Sequence, residues 1–237
     1  MKSIYIIPCF NEESNIEKLI NNCIEINKKK DSINFLLIDN GSKDRTREEI
    51  KLKIKGLNFI STLNIDENVG YGNGVNLGVV TALKEENFYN IGWSHADLQI
   101  PMESILEIDN LAEEYSTKTR DYYLRGRRMN RPSIVDKMFT VFMAIYTSLV
   151  HRSFFWDITG LPVVANKELM EEIIVNAPKG FAFDVHTYVK AKKYRAKISR
   201  IEVRFLNRNS GVSSWNTGLR SKINMSIYYL KAIRKIN

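Results

Sequence analysis

Four short β-rich runs alternate with helix-periodic segments through the first hundred residues, and this alternation restricts the fold more than any other feature of the chain. Strands are predicted at 3–8, 33–39, 57–62 and 90–97, with helices between them at 11–26, 46–54 and 74–86. Such alternation predicts a parallel sheet with helices on both faces. In an open sheet of this kind, ligands bind beyond the carboxyl ends of the strands.

Polar side chains collect at three of these strand ends, in the clusters 11–13, 39–44 and 97–99. Glu12 and Asp39 should line one rim, where carboxylates accept hydrogen bonds from ribose hydroxyls or base N–H groups. Either residue alone is more often a helix cap or a turn residue. Together with Asp97 on a third strand end, they favour a ligand cleft.

The glycine-rich stretch NVGYGNGVNLG (68–78) does not predict a dinucleotide-binding loop. It lacks the G-x-G-x-x-G spacing, and no predicted strand runs directly into it. The glycines indicate a tight loop whose backbone approaches a ligand closely. A plain loop followed by a helix start explains the stretch equally well.

After residue 120 the alternation weakens, and a basic cluster precedes an apolar run at 138–150. The run is expected to be a core helix or, beside the arginines, a helix at a membrane interface. It is too short to cross a bilayer, which needs roughly 20 residues. A basic amphipathic helix is predicted at 219–236, with one apolar face: Leu219, Ile223, Ile227 and Leu230.

The net charge of +8 favours an anionic partner. Nucleic acid is disfavoured, because the arginines lack interleaved aromatic residues and no nucleic-acid-binding module is recognisable. Cys9 and Cys23 form no paired framework, so a reducing cytoplasm is expected. The N-terminal apolar run is also too short for a signal peptide.

Four segments, in order along the chain, resemble the family 2 glycosyltransferases: IIPCFNEESNI, LLIDNGSKDRT, NVGYGNGVNLGV and ADLQIP. GRRMNRP and DITGL extend the resemblance to the polyprenyl-phosphate branch, which includes dolichol-phosphate mannose synthase. The resemblance covers about 2–215 and implies a GT-A fold, an α/β domain with a mostly parallel central sheet and helices on both faces. It divides the chain into a glycosyltransferase domain, 1–215, and a C-terminal basic helix, 216–237.

The resemblance also implies roles for individual residues. A nucleotide-sugar donor would be framed by Pro8, Phe10 and Glu12, with Asp39 at the base. A divalent metal, Mg²⁺ or Mn²⁺, would be bound by Asp97 with support from Gln99. Asp184 falls at the position of the catalytic carboxylate. Arg128 and Arg131 would hold phosphate, and Arg208 and Ser213 would close over the diphosphate.

His95 departs from the family pattern, which has a second carboxylate at this position. Imidazole can bind Mn²⁺, but a neutral ring removes one negative charge, so His95 is expected to hydrogen-bond rather than to bind the metal. The leading hypothesis is inverting transfer of a sugar to polyprenyl phosphate by a cytoplasmic enzyme at the inner face of the membrane. A saccharide acceptor and a catalytically inactive nucleotide-sugar-binding protein remain alternatives.

Overall fold

The computed structural model describes residues 1–130, 134–206 and 219–236, without the side chains of 219–222. Its strands are β1 (Ser3–Cys9), β2 (Ile33–Asn40), β3 (Ile60–Ile65), β4 (Asn90–Trp93), β5 (Tyr122–Met129), β6 (Val163–Asn166) and β7 (Lys197–Arg204). Its helices are α1 (Glu13–Lys29), α2 (Thr46–Lys53), α3 (Tyr71–Leu83), α4 (Glu103–Ser116), α5 (Ile134–His151), α6 (Lys167–Ile173), α7 (Phe183–Lys193) and α8 (Leu219–Arg234).

The described strands form one sheet in the order β3-β2-β1-β4-β6-β5-β7. The first four strands pair in parallel, as do β5 and β7, whereas β6 runs antiparallel to both neighbours. The predicted α/β fold with a mostly parallel sheet is therefore confirmed. Cys9 pairs with Asp39, so the carboxyl ends of β1 and β2 lie side by side.

Two strands differ from their predicted bounds by more than one residue. β3 begins at Ile60 and not at 57, because Leu57 and Ile60 form successive turn hydrogen bonds that end the preceding helical segment. β4 ends at Trp93 and not at 97. Ser94 still donates its N–H to Ile6, but the chain then turns, and Leu98 adopts a positive φ of 56°.

Two of the glycines of 68–78 pack α3 against the protein itself, and the predicted close approach of this loop to a ligand stays a prediction. A Cβ atom at Gly72 would lie 2.3 Å from the carbonyl oxygen of Gly180. At Gly78 it would lie 2.5 Å from a methyl carbon of Ile38. The contact at Gly72 is with backbone, so a larger residue there would force the loop before α7 away, whereas at Gly78 the Ile38 side chain would have to shift. The two glycines thus bring α3 onto the sheet and onto that loop.

Helix α5 is not a core helix. Of its 18 residues only Met143, Ala144 and Thr147 are buried, so the core interpretation of 138–150 is wrong. The helix is also longer than its apolar run. By length and composition alone it reaches the threshold for a membrane-spanning helix, with a mean hydropathy of 1.2, which corrects the expectation that it is too short.

Helix α8 forms where it was predicted and packs beside α5. His151 of α5 contacts the carbonyl of Ile233 at 3.1 Å, and Tyr229 donates its hydroxyl to the carbonyl of Phe181 at 2.9 Å. Ile233 is buried, whereas Ile223 and Ile227 of the predicted apolar face are each 45% exposed. The domain boundary near residue 215 lies outside the described residues and stays a prediction.

Candidate functional site

The loops that follow β1 and β2 are tied together by hydrogen bonds. Asn11 receives a hydrogen bond from Lys43 N–H at 2.8 Å and donates its own N–H to Ser42 at 3.1 Å. The backbone N–H of Glu12 donates to Thr46 Oγ1 at 2.8 Å. The two predicted polar clusters therefore form one rim at the carboxyl end of the sheet.

Three of the predicted nucleoside-binding residues lie on this rim. Pro8 and Phe10 are half-buried at the end of β1. Glu12 precedes α1, and its carboxylate accepts a hydrogen bond from Asn15 Nδ2 at 2.5 Å. Their predicted contact with a nucleoside is compatible with these positions and stays a prediction.

Asp39 is buried and already bound. Its Oδ2 accepts a hydrogen bond from Arg47 Nε at 2.6 Å, and its Oδ1 accepts one from Ser42 N–H at 3.1 Å. The Asp39 side chain has no exposed surface, whereas that of Arg47 is 37% exposed. A nucleotide base could reach Asp39 only by displacing this ion pair. A ligand that approached the rim would therefore meet the guanidinium of Arg47 first.

Beyond β4, the segment 94–99 carries the candidate metal-binding residues. Asp97 is half-buried, and its Oδ1 accepts the N–H of Gln99 at 3.1 Å across Leu98. Gln99 in turn fixes the chain after β7, because its carbonyl accepts the N–H of Leu206 at 2.8 Å. The strained φ of Leu98 and these bonds hold the Asp97 backbone at the strand end.

Asp184, the predicted catalytic carboxylate, lies at this same strand end. It sits in the first turn of α7, and its Oδ1 accepts hydrogen bonds from Trp93 Nε1 at 2.9 Å and from Tyr71 Oη at 3.2 Å. Burial raises the pKa of this carboxyl above its ordinary value, although His95 and the two donors oppose the rise. A buried carboxylate with a raised pKa is suited to accept a proton.

An aromatic wall surrounds the carboxylate. The Tyr71 ring lies 5.3 Å from the His95 ring and 5.6 Å from that of Phe181, with which it stacks. Trp93 packs edge-on against Phe183 at 5.3 Å. Neither Tyr71 nor Trp93 was among the residues predicted for the site. Two features of the sequence could have indicated them: a tyrosine lies among the glycines of 68–78, and a tryptophan directly precedes the 94–99 segment.

Arg128 is held by an internal carboxylate. Its guanidinium pairs with Asp157 and donates to Thr159 Oγ1 at 2.7 Å, and its backbone N–H also donates to Asp157 at 2.8 Å. Although burial acts against it, the neighbouring Arg128 charge lowers the pKa of Asp157 to about 2. The predicted role of Arg128 in holding phosphate stays a prediction, and it now competes with this pair.

Arg125 is fully buried under the ring of Tyr188, 4.2 Å from the ring centroid. One nitrogen donates to the carbonyls of Asp157 and Gly160 at 2.6 and 3.1 Å. Its Nε and Nη1 have no hydrogen-bond partner. Arg125 therefore holds the backbone of the loop that carries Asp157. The predicted residues Arg131, Arg208 and Ser213 lie outside the described part of the chain.

The side chains at the end of β4 supply only part of a binding site for a divalent metal. Within the described ranges, no three His, Cys, Asp or Glu side chains are grouped closely enough to hold an ion by themselves. Asp97 supplies one hard oxygen donor, and His95 stands two residues before it at the same strand end. This set is suited to a metal that takes its remaining oxygens from a ligand such as a diphosphate.

The family model described as Glycosyl transferase family 2 matches residues 5–158. A poly-β-1,6-N-acetyl-D-glucosamine synthase from Staphylococcus aureus is 27% identical over 150 residues, which cover 63% of this chain and 34% of the relative. The chain thus spans about a third of that relative's length.

Solved structures show the same fold. A glucosyl-3-phosphoglycerate synthase from Mycobacterium tuberculosis, in complex with Mn²⁺, uridine diphosphate and phosphoglyceric acid, has a TM-score of 0.71 at 13% identity. That alignment covers 100% of this chain and 79% of the other. The complex with Mn²⁺, uridine-diphosphate-glucose and phosphoglyceric acid has a TM-score of 0.72 at 14% identity and covers 100% and 80%. The fold is therefore GT-A.

Proposed function

The chain belongs to glycosyl transferase family 2, and from that premise we propose that it transfers a sugar from a nucleotide-sugar donor to an acceptor bound beside Asp184. The observation that carries the proposal is the buried Asp184 carboxylate, held by Trp93 and Tyr71 at the strand end that also bears Asp97. The Mn²⁺ complexes with uridine nucleotides, formed by proteins of the same fold, support both the donor class and the metal.

The residue types at this edge match what the reaction requires. The acceptor oxygen attacks the anomeric carbon, the bond from that carbon to the diphosphate breaks, and the nucleoside diphosphate leaves with the electron pair. A divalent cation bound by Asp97 would offset the added negative charge. Gln99 holds the loop that positions Asp97, and the partly exposed guanidinium of Arg47 lies on the rim that we assign to the nucleotide. A single displacement of this kind inverts the anomeric configuration.

Polyprenyl phosphate is the acceptor that we propose first. Support comes from the order of elements along the chain: β5, which carries Arg127 and Arg128, precedes α5, whose apolar side chains are exposed. A lipid phosphate would lay its chain along an apolar surface and its charge against guanidinium groups, and at Arg128 it would compete with Asp157. Its oxygen is already ionised at neutral pH, so no proton has to be removed. The reaction would then take place at the inner face of the cytoplasmic membrane.

A saccharide hydroxyl is the second candidate acceptor, and Asp184 favours it. A hydroxyl must lose its proton as it attacks, and the raised pKa of Asp184 makes this carboxylate a stronger base at neutral pH. In that case the proton passes from the acceptor oxygen to Asp184. The name of the Staphylococcus aureus relative, a polysaccharide synthase, supports this alternative.

Two measurements test the proposal. Nucleotide sugars are first screened by thermal shift with and without Mn²⁺, since a bound donor raises the melting temperature by mass action. The donor found is then incubated with a short polyprenyl phosphate or with an oligosaccharide, and the products are separated by mass. Sugar on the lipid phosphate supports the first acceptor, and sugar on the oligosaccharide supports the second. Donor binding without hydrolysis or transfer would indicate an inactive binding protein.

A further inference from the structure

Helix α5 presents a continuous apolar stripe to solvent. Its members recur at three- and four-residue spacing and therefore share one side of the helix: Ile134, Met138, Val141, Phe142, Ile145 and Leu149. Ile134, Met138 and Leu149 are 75%, 68% and 73% exposed. Phe154, just beyond the helix, is also exposed. We call these seven residues the α5 stripe. Large exposed apolar patches mark interaction sites.

Cations surround the α5 stripe. Lys137 and Arg152 lie towards its two ends. The last turn of α8 and the residue after it expose Lys231, Arg234 and Lys235. Arg234 donates a hydrogen bond to Tyr146 of α5 at 2.5 Å, so the basic end of α8 borders the stripe. In the described parts of α5 and α8 the only acidic residue is Asp136. The surface is therefore apolar at its centre and positive at its margin.

We propose that the α5 stripe lies on an anionic lipid surface, with the helix parallel to the membrane plane and the cations of α8 at the headgroups. An apolar helical face bordered by lysine and arginine is the pattern that binds such surfaces. A spanning orientation conflicts with the structure, because Met143, Ala144 and Thr147 pack into the domain on the opposite side of α5.

A second copy of the chain is a poorer occupant of this surface. Two-fold pairing through the α5 stripe would place the same patch opposite itself. The five cations of one copy would then face those of the other, with Asp136 as the only opposing charge in these two helices. An anionic bilayer offers the complementary charge and buries the same apolar side chains.

Vesicle flotation tests the surface without donor, metal or acceptor, so its result is independent of the proposed sugar transfer. The full chain is mixed with vesicles of phosphatidylcholine alone or of phosphatidylcholine with phosphatidylglycerol. We expect binding to the anionic vesicles only, weakening as salt rises. Phe142→Gln with Leu149→Gln should reduce binding at least roughly tenfold. Lys231→Gln with Lys235→Gln should reduce it about fivefold per charge removed.

Matched controls come from exposed residues outside α5 and α8. Leu52→Gln with Val175→Gln replaces apolar residues of similar exposure, and Lys51→Gln with Lys55→Gln removes two exposed charges. Neither pair should alter binding. The proposal is overturned if the wild-type chain floats with neither vesicle, or if stripe and control variants lose binding equally. It is also overturned if the wild-type chain is a dimer that Phe142→Gln with Leu149→Gln converts to a monomer.

Discussion

Trp93 donates its indole N–H to Oδ1 of Asp184 across 2.9 Å, joining the last residue of β4 to the first turn of α7. The same oxygen accepts the hydroxyl of Tyr71, the first residue of α3. Three elements thus converge on one carboxylate. Two donors on one oxygen fix the plane of the carboxyl group, which determines the direction from which an acceptor can approach it.

Removing the Tyr71 hydroxyl should alter the titration of Asp184. A hydrogen bond donated to a carboxylate favours its charged form, so Tyr71→Phe should raise the Asp184 pKa further. Hydrogen bonds to charged groups contribute about 1.5–3 kcal/mol, and at 3.2 Å the lower end applies. If Asp184 is the base, we expect the acid limb of the kcat/KM profile to move upward by about one pH unit.

Tyr123→Phe is the matched control for this shift. Its hydroxyl is hydrogen-bonded to Thr187 Oγ1 at 3.0 Å on the same helix, not to Asp184. The control should leave the pH profile in place. An unchanged profile for Tyr71→Phe, with transfer intact, would show that Asp184 does not carry the proton.

Asp184→Asn separates the two acceptor classes. With a hydroxyl acceptor, loss of a general base should reduce kcat roughly 10²–10⁴-fold. With a phosphate acceptor no proton leaves, so the reduction should be much smaller. Donor affinity, measured by titration calorimetry, should be unchanged in both cases. A large fall in donor affinity would instead assign Asp184 to donor binding.

The same substitution should not destabilise the fold at neutral pH. The folded-state pKa of Asp184 is raised, so the folded protein binds more protons than the unfolded chain between the unfolded pKa, about 3.9, and the folded value. Wild-type stability therefore falls as pH rises through this window. Asparagine keeps an oxygen for Trp93 and Tyr71 and carries no charge. We expect its melting temperature at pH 7 to equal or exceed that of the wild type, with the advantage disappearing below pH ~4.

The sheet and the position of Asp97 could be predicted because they depend on local patterns. Alternating runs define βα units, and in a parallel sheet their polar ends share one edge. The Asp184 contacts could not be predicted in this way, since Tyr71 and Trp93 lie 113 and 91 positions from it. Sequence periodicity does not connect residues so far apart. The family resemblance identified Asp184 but not the two residues that donate hydrogen bonds to it.

The burial of individual side chains could not be predicted from the sequence either. From its position at a strand end Asp39 was expected to face a ligand cleft, but its side chain is fully buried and paired with Arg47. Asp39→Ala would therefore release a guanidinium as well as remove the predicted base contact. The apolar run of α5 indicated burial by composition, yet most of its side chains face solvent. Hydrophobicity alone does not distinguish a protein core from another apolar surface.

The Arg128–Asp157 ion pair should contribute to the free energy of unfolding. The folded pKa of Asp157 is lowered to about 2, so the pair contributes stability above the unfolded pKa of about 3.9, and this contribution is lost as pH falls toward 2. Arg128→Gln leaves a buried carboxylate without its cation, which should cost about 3–5 kcal/mol in urea unfolding at pH 7. Arg127→Gln is the control, because its ion pair with Glu202 is exposed and long, at 3.6 Å. Its cost should stay below about 1 kcal/mol.

The proposed metal assignment is tested by Asp97 and His95 together. Asp97→Ala should abolish Mn²⁺-dependent binding of the nucleoside diphosphate, because it removes the charged oxygen donor of this strand end. His95→Ala should weaken that binding much less, since a neutral imidazole supplies no charge and the diphosphate can supply oxygens. Titration calorimetry with and without Mn²⁺ measures both. Equal losses in the two variants would place His95 among the metal ligands.

His95→Asp should change both the affinity for the metal and the pH dependence of transfer. A second carboxylate near Asp97 should tighten Mg²⁺ and Mn²⁺, because hard cations gain from an added negative charge. The same carboxylate adds a negative charge near Asp184, and like charges raise one another's pKa. We therefore expect tighter metal-dependent donor binding together with an acid limb of kcat/KM at higher pH. Tighter binding without that displacement would mean that the His95 side chain does not act on the base.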